Sequence, residues 1–230
     1  MSLQELINKT CIIFDEYKPS QGIDDDIKSL LKSFLVSHTN DFLLLLPARC
    51  VEPLIKYHLP SSYSTINIPF NGGCIQFDED ILKLFSFKHG CWETTLFDGD
   101  VIDQNNPIRR RQENKFTAAK KVKPVVCLEV KNGKNSICFW TCEGAIDNVS
   151  ISYISRLPQN DNGLSTFLSL QDDIITAYIY YCLSFVFETT KEFDFQKMAL
   201  NTMNNLLSLY EINPIQPTIF NNSKKCYYYK

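Results

Sequence analysis

Behind Asp24, Asp25 and Asp26, the apolar residues Ile27, Leu30, Leu31, Phe34 and Leu35 return every three or four positions. That spacing predicts an amphipathic helix with its acidic residues at the favourable end of the helix dipole. The run Phe42 to Leu46, closed by Pro47, is apolar throughout and predicts a strand covered on both faces. A short helix is expected from Ala48 to His58, followed by a break at Pro60-Ser61-Ser62. Polar and apolar residues alternate over Ser64 to Pro69 and Gly73 to Phe77, the period of a strand. Asp78 is expected to open a further short helix with Ile81, Leu82 and Phe85 on one side.

The middle of the chain changes character. Trp92 to Phe97 and Val101 to Asp103 flank Asp98-Gly99-Asp100, and Val125 to Val130 and Ser136 to Thr141 flank Asn132-Gly133. Asp-Gly and Asn-Gly tolerate the positive φ of tight turns, so both pairs are expected as antiparallel hairpins. A strand follows at Val149 to Ile154, then a polar break from Pro158 to Gly163. Asp172 to Phe187 is apolar around most of a helical circumference and should be buried on several sides. Asp194 to Tyr210 carries the narrower stripe Phe195, Ala199, Met203, Leu206 and Tyr210 of a surface helix. The expected fold is α/β: one domain over residues 1–220, a mixed sheet with antiparallel hairpins in its middle, helices packed on it, and two C-terminal helices. Residues 221–230 then form a flexible tail.

At 230 residues the chain can bury a substantial core, and 44% hydrophobic with 21% charged residues excludes a disordered or fibrous class. The net charge of −3 gives no long-range attraction to nucleic acid. Met1 to Lys9 lacks the basic start and apolar run of a signal peptide, and no apolar stretch is long enough to span a bilayer, so a cytoplasmic, or nuclear, protein with no membrane association is expected. The nine cysteines are odd in number and scattered through apolar segments, which reads as buried thiols rather than a bridge framework. Cys138 and Cys142 lie four apart with Cys127 nearby, but no CxxC or HxxxH pair completes a tetrahedral set, so no metal is expected. His38, His58 and His89 each follow an apolar stretch near an element end, where a histidine needs no catalytic role.

No phosphate-binding glycine loop, nucleophile elbow or HExxH helix occurs, and nothing nominates a nucleophile beside a base; neither catalysis nor a cofactor is expected. Thr95 to Ile102 resembles the acidic strand motif of covalent nucleotidyltransferases, but the lysine pattern those enzymes need is missing. Turn chemistry explains Asp98-Gly99-Asp100 more simply. Asp78, Glu79 and Asp80 are expected as helix-start residues. Between the hairpins, Asn105 to Lys123 holds Arg109, Arg110, Arg111, Lys115, Lys120, Lys121 and Lys123 against Glu113, and reads as a mobile charged contact loop. Such a loop suits an acidic protein partner or, as the alternative reading, a nucleic-acid- or chromatin-associated subunit. Phe116 is the one aromatic in the run, which weighs against single-strand binding.

The most suggestive feature is the ending Tyr228-Tyr229-Lys230 behind the polar stretch Asn221 to Lys225. It fits a pattern of hydrophobic residue, tyrosine and any residue with a free carboxylate, a docking tail whose ring fills an apolar slot while the carboxylate meets a basic group. The stretch Phe167 to Cys182, a polar turn leading into an apolar helix, with a second helix and the tyrosine ending after it, resembles the proteasome assembly chaperone 1 family over about the last third of the chain. Asp172 and Asp173 stand where that family usually has helix-opening prolines, and the central hairpins have no counterpart. The resemblance implies an α/β fold and a non-enzymatic role in building the 20S proteasome α ring. It further implies heterodimerisation with a second assembly chaperone subunit, and docking on α subunits through Tyr228, Tyr229 and Lys230.

Overall fold

The computed structural model describes residues 1–19, 25–58, 64–68, 72–114, 117, 123–131, 133–140 and 149–212, with backbone alone at 58 and 64–68. The chain has the expected α/β composition, contains a mixed sheet, and carries two helices toward its C-terminal end. Among the described residues it divides into two compact units, one formed by Met1–Leu54 with residues 157–212, the other by Ile55–Arg156.

The first unit is helical. Helix α1, Leu3–Tyr17, opens with a capping box in which the Ser2 hydroxyl accepts from the Glu5 amide and the Glu5 carboxylate accepts from the Ser2 amide. Helix α2, Asp25–Ser37, is the amphipathic helix expected behind the aspartates and buries Leu31 and Leu35. The segment expected as a strand at 42–46 is instead helix α3, Thr39–Leu45. Phe42, Leu43 and Leu46 are buried while Leu44 is exposed, a helical rather than alternating pattern. Leucine favours helices and a five-residue apolar run cannot discriminate the two. The helix expected over Ala48 to His58 is two 3₁₀ turns, Ala48–Cys50 and Glu52–Leu54, followed by a strand from Lys56; Pro53 has no N–H to continue an α-helical ladder, and its ring clashes with the carbonyl four residues before it.

The polar break at 158–163 in fact starts helix α5, Asp161–Phe167, whose N-cap Asn160 accepts from the amides of Asn162 and Gly163. Helix α6, Asp172–Thr189, is buried on several sides as expected and packs chiefly against α2 and helix α7, Phe193–Ser208. Tyr178 is fully buried on α6; its ring packs at a tilt against Phe42 and Phe167, and its hydroxyl donates to the Leu35 carbonyl at 2.7 Å, satisfying the one polar atom that burial would strand.

The second unit is built of two sheets. The first has the order β1 (Lys56–His58), β9 (Val149–Ser155), β4 (Ile81–His89), β5 (Leu96–Phe97), all antiparallel. The second runs β2 (Ser64–Ile68), β3 (Gly72–Gln76), β8 (Lys134–Trp140), β7 (Val125–Lys131), β6 (Ile102–Asp103), with only the β6–β7 pair parallel. The expected β7–β8 hairpin is present, and Gly133 takes φ 75°, which only glycine adopts without strain.

Two expectations fail here. The segment from Asp78 is no helix: Ile81 to His89 is the long strand β4, whose residues are buried on both faces so that alternation disappears, and register shifts blur what remains. Asp98-Gly99-Asp100 is no hairpin either; it is a 3₁₀ turn from which β5 pairs into the first sheet and β6 into the second. The Asp100 carboxylate accepts from the Phe97 amide and stabilises that crossover.

The two sheets share one apolar cluster: Ile75, Val126, Ile137 and Phe139 from one, Leu84, Phe87, Leu96, Val149, Ile151 and Tyr153 from the other, with Trp92 among them. Gly73 lies opposite Phe139, and a Cβ there would stand 2.5 Å from the ring, so the absence of a side chain is what lets the ring lie over β3. The acidic trio at 78–80 fastens the rim of this unit rather than opening a helix. Asp78 pairs with Lys134, Asp80 with Arg156 and Asn135, and Glu79 accepts from Lys56, Tyr153 and Ser155. Partial burial opposes the Glu79 charge, but those three donors outweigh it and hold its carboxyl down at about 2.

Candidate functional site

The opposite face of the five-stranded sheet gathers the reactive side chains. Residues of a strand alternate between faces, so in β8 Ile137 and Phe139 belong to the shared cluster while Cys138 and Trp140 point to the other side. The register sets Cys74 of β3 directly across from Cys138, and Cys138 directly across from Cys127 of β7. Three cysteines thus lie in a row across three neighbouring strands, packed with Trp140, Ile102 and Val125. Cys74 and Cys138 form a disulfide, which corrects the expectation of thiols throughout. Their sequence separation of 64 residues concealed a pairing that the sheet register makes direct. Cys50, Cys127 and Cys182 are buried thiols, as expected of small hydrophobes.

Glu129 stands two residues beyond Cys127 and therefore on the same face. One of its oxygens lies 2.6 Å from Cys138 Sγ, and the other accepts from Arg109 Nε at 3.0 Å. Arg109 belongs to helix α4, Pro107–Arg111, whose Asn106 N-cap accepts from the Ile108 amide and whose first residue is proline. The expected mobile loop is therefore helical at this point. The Arg109 guanidinium also reaches Glu113 at 3.2 Å and lies over the Trp140 ring, 5.0 Å from its centroid. Burial opposes its charge, yet Glu129 more than compensates and raises its pKa. Burial and the neighbouring Glu129 push the Cys127 thiol up to about 12, so it stays protonated and unreactive at neutral pH.

Of the charged residues singled out in the sequence, Arg109 is committed to the fold, while Arg110 and Arg111 are exposed. Lys120 and Lys121 lie outside the described residues, as do Lys115 and the tail Tyr228, Tyr229 and Lys230. His38 closes α2 among Phe34, Tyr181 and Phe185, where burial pushes its pKa down. His89, at the end of β4, accepts from the Cys91 amide through Nδ1 at 3.1 Å.

Sequence reasoning examined Cys127 and Cys138 but paired them with Cys142, which lies outside the described residues. It missed Cys74 and Glu129. The available signal was the odd-even placement of Cys127 and Glu129 in one strand and Cys138 in its hairpin partner, which puts all three on one face once Lys131 pairs with Lys134 and sets the register.

Among the described residues no helix is long and apolar enough to cross a membrane. Neither a protein-family model nor a curated protein matches this chain.

Proposed function

We propose that the chain is a non-enzymatic assembly chaperone for the 20S proteasome α ring, docking on α subunits through Tyr228, Tyr229 and Lys230 and acting with a second chaperone subunit as a heterodimer. The observation that carries this reading is the order of residues at 221–230: a polar stretch, Cys226, three tyrosines and a lysine. A tyrosine ring with a neighbouring carboxylate can fill an apolar slot and pair with a cation at its end. The order of α6, α7 and the tyrosine ending also follows the pattern that prompted the resemblance. Docking of this kind requires Lys230 to bear the α-carboxylate, which intact-mass measurement of the natural protein checks.

The reading in which 105–123 contacts nucleic acid has less support, since the Arg109 guanidinium is engaged by Glu129 and Glu113. Removing Tyr229 and Lys230 is expected to abolish co-purification with α subunits while leaving the circular dichroism spectrum unchanged. Undiminished recovery of α subunits overturns the proposal.

A further inference from the structure

The side of the five-stranded sheet that carries the cysteine row holds donor atoms suited to a metal ion. The Cys74 and Cys138 sulfurs and a Glu129 oxygen all lie within 4.8 Å of one another. Both cysteines are fully buried, and the Glu129 side chain is 11% exposed. We propose that, once the Cys74–Cys138 disulfide is reduced, the two thiolates and the Glu129 carboxylate form a three-ligand site for a borderline-soft divalent cation of the zinc class.

Donor chemistry selects the class. Calcium and magnesium take six or more oxygens, whereas two sulfurs and one carboxylate oxygen are a zinc-type set, with a fourth position left for water or a small exogenous donor. Charge balance agrees. Two thiolates and a carboxylate around a divalent ion leave one negative charge in a buried place, and the Arg109 guanidinium, 3.0 Å from the second Glu129 oxygen, offsets it. Arg109 is itself fixed over Trp140, so the carboxylate is held by a group that cannot swing away without losing that contact. The approach of the other Glu129 oxygen to Cys138 Sγ, 2.6 Å, points the same way. A carboxylate and a disulfide sulfur are both rich in lone pairs, and only reduction lets something electropositive be shared between them, a thiol proton or a metal ion, that turns the proximity into an attraction.

The disulfide and the metal exclude each other because they use the same two sulfurs. A dithiol or phosphine reductant supplies two electrons; the S–S bond breaks, each sulfur takes up a proton, and the reductant leaves as its disulfide or phosphine oxide, water giving the oxygen. Binding of the divalent ion then forms two metal–sulfur bonds and releases both protons.

The full-length chain, reduced with a phosphine under anaerobic conditions, is titrated with cobalt(II), whose thiolate complexes absorb visibly, and then with zinc(II). Expected are one cobalt per chain with the absorption of a tetrahedral thiolate site, displacement by zinc, and no such absorption in the oxidised protein. Glu129→Gln keeps the shape and an acceptor for Arg109, and should weaken cobalt binding by at least roughly tenfold. Cys138→Ser should remove most of the thiolate absorption. Absence of the cobalt signal in reduced protein that retains its circular dichroism overturns the proposal. So does an affinity in Glu129→Gln equal to that of the parent chain, since the carboxylate would then not be a ligand; this variant decides the matter even if Cys138→Ser fails to fold.

Discussion

The two faces of the five-stranded sheet are made by the same strands and do opposite things. On one, Ile75, Val126, Ile137 and Phe139 meet the apolar residues of the four-stranded sheet and exclude water. On the other, Cys74, Cys138 and Cys127 lie in a row across three strands, with Glu129 two residues along β7 and bonded to Arg109 from α4. The strand period of two keeps them apart: a slip of one residue in β8 would put Cys138 among the apolar residues and Phe139 beside Glu129.

The strongest way to break this contrast is Phe139→Ala, which removes a fully buried ring that touches Phe87 and Trp92. It should cost about 3–5 kcal/mol in urea unfolding, with the cysteine face reporting the change only through global unfolding. Reduction of Cys74–Cys138 comes next. Freeing a loop closed over a separation of 64 residues should cost about 4 kcal/mol on the chain-entropy account, read as a lower midpoint in phosphine-treated protein.

Gly73→Ala places a Cβ against the Phe139 ring and should cost about 1–3 kcal/mol by overpacking, a loss that Phe139→Leu should partly relieve in the double variant.

Glu79 sharpens the comparison by pH. Its folded pKa lies below the unfolded value, so its stabilisation is complete above the unfolded carboxylate range near 4.5 and disappears as pH falls through about 2. Glu79→Gln should therefore be less stable than the parent chain at pH 6, by about 1–2 kcal/mol after allowance for its partial exposure, and the difference should shrink as pH falls toward 2 and vanish only below it. The smallest effect belongs to the double variant Arg110→Ala with Arg111→Ala: both side chains are exposed, and stability should stay within about 0.5 kcal/mol, whereas Arg109→Ala should exceed that by losing Glu129 and Trp140 together.

Local chemistry decided what could be read without coordinates. The aspartates that open α2 mark a helix start, Asn132-Gly133 marks a hairpin, and the apolar circumference of α6 marks a buried helix, because each signal lies within a few residues of the structure it specifies. The tertiary structure alone decided the remainder. Phe42 to Leu46 and Ile81 to His89 are both apolar runs, and whether each becomes helix or strand depends on the partners that cover it. The same holds for Cys74, Glu129 and Arg109, which are far apart in the chain and meet only because β3, β8 and β7 pair in register and α4 sets its guanidinium beside Glu129. A buried site assembled across strands leaves no spacing in the sequence, since its distances are fixed by interstrand hydrogen bonds rather than by the covalent chain.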